Sequence, residues 1–280
     1  MRVKIHPDPE TFLRASGTFI SHDPLSPGVV ADVAERIAAG VQPGPEDDIF
    51  VFVEEEGVVV GVAMHTPPHP LFLSRMPAAA AEDLARVLAR RGLRLPGVSG
   101  AEDSTSVSAR AWLQLTGRRS RLVAALRLYR LQSLLAPEGA SGQPAGARAP
   151  QDTDLVSRWM REFHDEATPR APAQDWRLVA SRRISAGEVR VWWDGGRPVA
   201  MACSSQTAAA VARVGPVYTP PEFRRGGFGT AVTVAATKAA LLAGSREVIL
   251  YTDLANTTSN SIYVALGFRP DHDAQELYFA

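Results

Sequence analysis

Val217-Tyr218-Thr219-Pro220-Pro221-Glu222-Phe223-Arg224-Arg225-Gly226-Gly227-Phe228-Gly229-Thr230 is the stretch that decides how this 280-residue chain folds. It follows an apolar run, Val211 to Tyr218, that reads as a strand broken by Gly215-Pro216. It opens an Ala/Val/Leu pattern that predicts a helix to about Leu242. Between them, Arg224-x-x-Gly227-x-Gly229 removes side chains from one turn of backbone just before a helix start. The first amides of a helix lack partners, and the helix dipole adds positive potential there, so such a turn is a cradle for an anion. Glycine lets backbone approach the ligand, and arginine supplies charge at the rim.

Two familiar phosphate loops do not fit. A P-loop closes on Gly-Lys-Ser/Thr, whereas Gly229-Thr230 is followed by Ala231 and the run has no lysine. A dinucleotide fingerprint needs a third small residue and an acid about twenty positions on. Position 232 is Val, and Glu247 already begins the next strand.

Glu247 to Thr252 reads as that strand, and Asn256-Thr-Thr-Ser259-Asn260-Ser-Ile262-Tyr263-Val-Ala-Leu266-Gly267-Phe268 follows. Both segments together, in this order, resemble the GNAT (GCN5-related) N-acetyltransferase superfamily: R-x-x-G-x-G, a strand, then Asn, a small residue, an aliphatic-Tyr pair and Leu-Gly-Phe. The resemblance implies an acetyl-CoA co-substrate. Its diphosphate would lie on Arg224, Arg225, Gly226, Gly227, Phe228, Gly229 and Thr230. Its pantetheine arm would run along Val217, Tyr218 and Thr219, with Asn256, Ser259 and Tyr263 opposite. It also implies Tyr263 as the general acid for the departing thiolate. Family members often carry a basic residue at the position of Gly226. Asn256 also reads as a plain helix cap, Tyr263 as core and Gly267 as an ordinary helix end. Glu222 is open to a capping role. No carboxylate lies on the Val211–Tyr218 strand, so the base is left among Glu162, His164, Asp165, Glu166 and water.

Composition bounds the rest. The chain suits one large or two ordinary domains, and 45% hydrophobic residues suffice for a core. No apolar run approaches the ~20 residues of a membrane span, and the N-terminus lacks a secretory pattern, so cytoplasmic residence is expected with no membrane partner. Zero net charge without blocks of like charge argues against nucleic acid. Lys4 and Lys238 are the only lysines, which marks composition bias rather than a patch. A single cysteine, Cys203, excludes an internal disulfide and a cysteine metal site, and no metal is expected.

Along the chain, the pattern predicts a strand at Val3–Ile5, a helix opened by Asp8-Pro9-Glu10, and a helix over Gly28–Ala39. After a loop at Gly40–Pro45 come a hairpin of Ile49–Glu55 with Val58–Met64, a short strand at Leu71–Ser74, helices at Ala78–Arg90 and Ser104–Leu115, and a long strand at Leu122–Leu135. Residues 136–145 read as a linker. A short strand at Arg148-Ala149, helices from Asp152 to His164 and from Pro172 to Ser185, and a hairpin around Asp194-Gly195-Gly196 precede the deciding stretch. Two strands are expected after the last helix. Residues 146–280 thus resemble a complete GNAT topology, and residues 1–135 repeat it loosely, with Val62-Ala63-Met64 matching Val199-Ala200-Met201. The first copy reads Arg75-Met76-Pro77-Ala78-Ala79-Ala80 at the turn, without glycine, so only the second half is expected to bind the co-substrate.

The fold expected is therefore α/β (α+β): two GNAT-like domains in tandem, each a twisted, mostly antiparallel mixed sheet flanked by helices. The function expected is acetyl transfer to an amine of a small molecule or peptide, by a monomer or homodimer. A longer acyl donor and a non-catalytic acetyl-CoA sensor stay open. The five tryptophans are candidates to line the acceptor cleft, although tryptophan is more often packing.

Overall fold

The computed structural model describes residues 1–40, 44, 47–137, 139–167, 174–207 and 209–280. The first half runs β1 (Arg2–His6), α1 (Pro9–His22), α2 (Gly28–Ala38), β2 (Ile49–Glu55), β3 (Val58–His65), β4 (Leu71–Leu73), α3 (Ala78–Arg90), β5 (Gly97–Ala101), α4 (Glu102–Thr116) and β6 (Ser120–Leu131). The second runs β7 (Gln143–Gly146), α5 (Thr153–Ala167), α6 (Trp176–Ser185), β8 (Val189–Asp194), β9 (Arg197–Gln206), β10 (Val211–Tyr218), α7 (Phe228–Leu242), β11 (Glu247–Asp253), α8 (Thr257–Ala265) and β12 (Phe268–Phe279). The helix start at Asp8-Pro9 forms as expected: Asp8 accepts from the Glu10 and Thr11 amides, and Pro9 takes the first helical position, where no N–H is needed.

Among the described residues, twelve strands form one sheet in the order β1-β2-β3-β4-β5-β12-β6-β11-β10-β9-β8-β7. Each half contributes a mostly antiparallel set with one parallel pair, β4–β5 or β10–β11. The halves are sewn together by exchange of their last strands. β12 pairs with β5 of the first half, β6 pairs with β11 of the second, and the two exchanged strands pair with each other from Phe268↔Leu131 to Phe279↔Ser120.

Alternate residues feed opposite faces, as pleating requires. Phe50, Phe52, Val62 and Met64 pack under α1 and α2, while Val51, Val53, Leu71 and Leu73 pack under α3 and α4. In the second half Met201 and Cys203 face α5 and α6, while Ala200, Ala202, Ala212, Val214, Val248 and Leu250 face α7 and α8. Leu25, between α1 and α2, seals Leu128, Val211 and Ile249, so α2 reaches across onto the second half.

Several expectations need correction. The short strand lies at Gln143–Gly146, not at Arg148-Ala149, so the end of the expected linker is sheet edge. One long strand, β12, follows α8 instead of two; a bulge between Pro270 and His272 keeps it continuous. β6 ends at Leu131, not Leu135, because residues 132–135 turn to meet Leu266 and Gly267: the Gln132 and Leu135 amides donate to the carbonyls of Gly267 and Leu266. A Cβ on Gly267 would sit 1.9 Å from the Ser133 carbonyl, so glycine is required there by close approach as well as by its φ of +92°. β5 was not expected at all: Gly97-Val-Ser-Gly-Ala has too few apolar residues to read as a strand, yet it is buried between β4 and β12. The expected start of α6 at Pro172 falls outside the described residues, as does most of the Gly40–Pro45 loop; among the described residues α6 begins at Trp176.

Candidate functional site

The parallel pair β10–β11 bonds only over Val211–Arg213 against Glu247–Ile249. Beyond that the strands part. β10 stays with β9 to Tyr218, through a bulge around Gly215-Pro216, and β11 stays with β6 to Asp253. A fork therefore opens between Val214–Tyr218 and Leu250–Asp253, with no ladder across it. Unpaired edges of this kind accept an extended, amide-bearing ligand as an added strand.

The deciding stretch lies at the mouth of this fork. After Tyr218 the chain makes a single 3-10 turn at Pro221–Phe223, then reaches α7 through Arg225 at φ +66° and Gly227 at φ +78°. No side chain caps α7, and its first bond runs from the Ala231 amide to the Gly227 carbonyl. The amides of Phe228, Gly229 and Thr230 are thus the orphan donors of the helix start. A Cβ at Gly226 would meet the Phe228 ring at 2.8 Å, and one at Gly229 would press on Thr219 Oγ1 at 3.2 Å. Bare backbone here leaves room for the Phe228 ring and for Thr219.

Arg225 projects exposed from the loop. Arg224 does not stand free at the rim. Its Nε donates to the Thr219 carbonyl at 2.9 Å, its Nη2 pairs with Glu166 Oε2 at 2.7 Å, and its guanidinium lies 5.9 Å from the centre of the Tyr218 ring. The other Glu166 oxygen accepts from Tyr218 Oη at 3.2 Å. Glu166 thus ties α5 to the loop. His164 is buried and lies against Trp176 at 4.9 Å, Glu162 is within 4.0 Å of Arg158, and Asp165 is exposed.

On the other side of the fork, Asn256 caps α8, its side chain accepting from the Ser259 amide at 3.0 Å. The cap and ligand readings of Asn256 are compatible, since its amide nitrogen makes no such bond. Val217, Phe228, Ile262 and Tyr263 pack against one core cluster, which brings strand, loop and α8 together. Tyr263 meets Phe268 edge-on at 6.2 Å, and burial pushes its hydroxyl up to about 12. Two residues of this region escaped the sequence reading as participants. Asn260 donates to the carbonyls of Asp253 (2.9 Å) and Asn256 (2.8 Å) and accepts from Tyr129 on β6 at 3.0 Å. Asn260 was visible in the motif, but nothing in the sequence pairs it with residue 129.

The first half lacks each of these features. β4 and β5 stay paired to Leu73↔Gly100, where a Cβ on Gly100 would lie 2.0 Å from the Leu73 carbonyl, so no fork opens. At its turn the Arg75 amide donates to Ser26 Oγ, the Met76 amide donates to Ser104 Oγ at 3.0 Å, and Pro77 has no N–H. Of the tryptophans, Trp112 is buried in the first half against Phe279, and Trp159, Trp176 and Trp193 pack with the core under α5 and α6. Among the described residues no group of His, Cys, Asp or Glu could hold a metal, and no helix is long and apolar enough to cross a membrane.

The model of the acetyltransferase (GNAT) family matches residues 153–268, from the first residue of α5 to the first of β12. Solved structures extend the likeness of fold to the whole chain. A GCN5-related N-acetyltransferase from Sphaerobacter thermophilus is 18% identical with a TM-score of 0.64, covering 99% of this chain and 95% of its own. A GNAT-family acetyltransferase from Colwellia psychrerythraea is 14% identical (TM-score 0.58, coverage 100% and 99%). A tandem GNAT protein from the clavulanic acid biosynthesis pathway is 16% identical (TM-score 0.57, coverage 100% and 98%). No curated protein sequence matches the chain.

Proposed function

We propose that this protein is an acetyl-CoA-dependent N-acetyltransferase that moves an acetyl group directly to a primary amine of a small molecule or peptide. The observation that carries the reading is the parting of β10 from β11 after Arg213, at the mouth of which α7 presents uncapped amides. In this reading the amides of residues 226–230 hold the diphosphate, with Arg225 at the rim. Val217 and Thr219 offer main-chain partners to the pantetheine arm, and the Asn256 amide nitrogen meets it from α8. Charge-assisted bonds of the first kind contribute about 1.5–3 kcal/mol each. The domain division belongs to the same proposal: 1–135 without a co-substrate loop, 136–145 connecting, 146–280 catalytic.

The acyl carbon lies in the fork, where the neutral amine forms the new C–N bond as the C–S bond breaks. The departing thiolate takes the proton of Tyr263. A phenol at about 12 is a poor acid toward a thiol near 8.5, but burial acts on both partners. The same sheet makes the point: burial pushes the Cys203 thiol up to about 11. A thiolate released into an apolar fork is therefore matched to Tyr263. The amine's proton leaves through Glu162, Glu166 or water.

Calorimetry with CoA, and thiol release from acetyl-CoA over a panel of amines, test the reading. Gly227→Glu places a carboxylate on a left-handed glycine in the anion cradle and should abolish CoA binding. Equal CoA affinity in that variant would overturn the site. Binding without turnover on any amine would favour a sensor instead.

A further inference from the structure

Three arginines and two carboxylates meet where α2 of the first half crosses onto the second. Arg36 pairs with Asp32 Oδ1 at 2.8 Å and with Glu188, Arg183 pairs with Glu188 Oε2 at 3.3 Å, and Arg213 pairs with Asp32 Oδ2 at 3.1 Å. Ser205 Oγ also donates to Asp32, at 3.4 Å. Among the printed pairs of this cluster three guanidiniums share two carboxylates, one positive charge more than negative. Arg213 carries that surplus. Its side chain is 30% exposed against 7% for Asp32, and a single Nη2 contact holds it, leaving most of its five donors unused.

Its position gives the surplus a meaning. Arg213 is the last β10 residue paired with β11, at the closed end of the fork. On one face of the sheet, Val214 and Leu250 are covered by α7 and its cluster. On the other, Leu25 and Leu128 seal Val211 and Ile249. Arg213, two residues on from Val211 along β10, stands at the edge of this second cover, and Tyr251 packs against the same cluster. Tyr251 lies on β11 two residues beyond Ile249, the partner of Arg213, and its hydroxyl has no hydrogen-bond partner among the described residues. Burial pushes it up to about 12, Arg213 pulls it back, and Asp271 and Asp23 add to the rise.

We infer that the acceptor is an amine that also carries a carboxylate, gripped by Arg213, which Asp32 of the first half holds in place. This rests on the acetyltransferase reading and names its substrate class. Arg213 and Tyr251 Oη donate to the carboxylate. Asp23 and Asp271 offset the acceptor's ammonium until its proton is lost. The first half thus contributes a positioning residue to the second half's acceptor site.

The test compares pairs of amines that differ only in a carboxylate, such as an amino acid against its amide and a glycyl dipeptide against its C-terminal amide, with acetyl-CoA saturating. The wild type should prefer the acid by roughly 10- to 100-fold in kcat/KM, the worth of one charge-assisted contact. Arg213→Gln should collapse that ratio through KM for the acid, while KM for acetyl-CoA stays put. Arg213→Lys and Asp32→Asn should each reduce the ratio without abolishing it, which keeps the test open if Arg213→Gln misfolds. Equal use of acid and amide by the wild type, or an unchanged ratio in all three variants, would overturn the inference while leaving the acetyltransferase reading intact. Absence of turnover on every amine would take both down together.

Discussion

The hydroxyl of Tyr129 donates to Asn260 Oδ1 at 3.0 Å, joining the last strand of the first half to the helix that carries Asn256 and Tyr263. Asn260 passes the link on through its amide nitrogen to the carbonyls of Asp253 and Asn256. The mouth of the fork is thus braced by a buried phenol from the other half of the chain. Tyr129→Phe keeps the packing and removes the donor. It should cost about 1 kcal/mol in urea unfolding, the net worth of one such bond, and weaken CoA binding several-fold. The double variant with Asn260→Ala should be no worse than Asn260→Ala alone, because both act through one contact. Additive losses would mean that the two residues are not coupled.

Tyr263→Phe should lower kcat by roughly 10²–10⁴ with CoA binding retained, as expected for loss of a proton donor. Because burial holds the phenol near 12, Tyr263 stays protonated throughout the neutral and mildly alkaline range. The rate should rise as the amine loses its proton, with no Tyr263-dependent fall below pH 10. A basic limb near pH 8 that vanishes in the variant would remove the assignment. The same shift bears on stability. The folded pKa is raised above the ordinary value of 10.0, so the contributions of Tyr263 and Tyr251 are complete below pH 10 and lost as pH climbs through about 12. Thermal melts should fall across that window.

Exchange of β6 and β12 makes each half depend on the other. Residues 1–135 alone lack the strand that covers β5, and residues 146–280 alone lack the strand that covers β11. Each fragment would expose a long edge next to its core, an aggregation hazard. Expressed singly, both should be insoluble or lack a cooperative melt; co-expressed, they should form a one-to-one complex that binds CoA. A 146–280 fragment that melts cooperatively by itself would show that the exchange is dispensable.

What the sequence disclosed was local. The glycine turn at Gly227, the cap at Asp8 and the α3 limits follow from rules that act within a few residues, and they stand where expected. The exchange was hidden because Leu122–Leu135 reads as a strand whichever neighbour it takes. Register and partner are set by tertiary packing, and β6 and β12 carry no mark of crossing over. Pairing of Arg224 with Glu166 was hidden for the same reason. Both residues were singled out, but their 58-residue separation says nothing of contact.

Asp48 is a flaw that can be repaired. It is buried at the entrance to β2, and among the described residues neither carboxylate oxygen has a hydrogen-bond partner. Burial first, and then the neighbouring Asp47, push it up to about 6 from 3.8. A raised folded pKa favours the protonated form, so this group's contribution is complete below 3.8 and lost as pH rises through about 6. Above that, the folded protein keeps it ionised at a cost in stability. Asp48→Asn imitates the protonated carboxyl at similar size. It should raise the free energy of urea unfolding at pH 8, with the gain shrinking toward pH 4. Equal gains at both pH values, or a loss at pH 8, would mean that the charge of Asp48 is compensated in the folded protein after all.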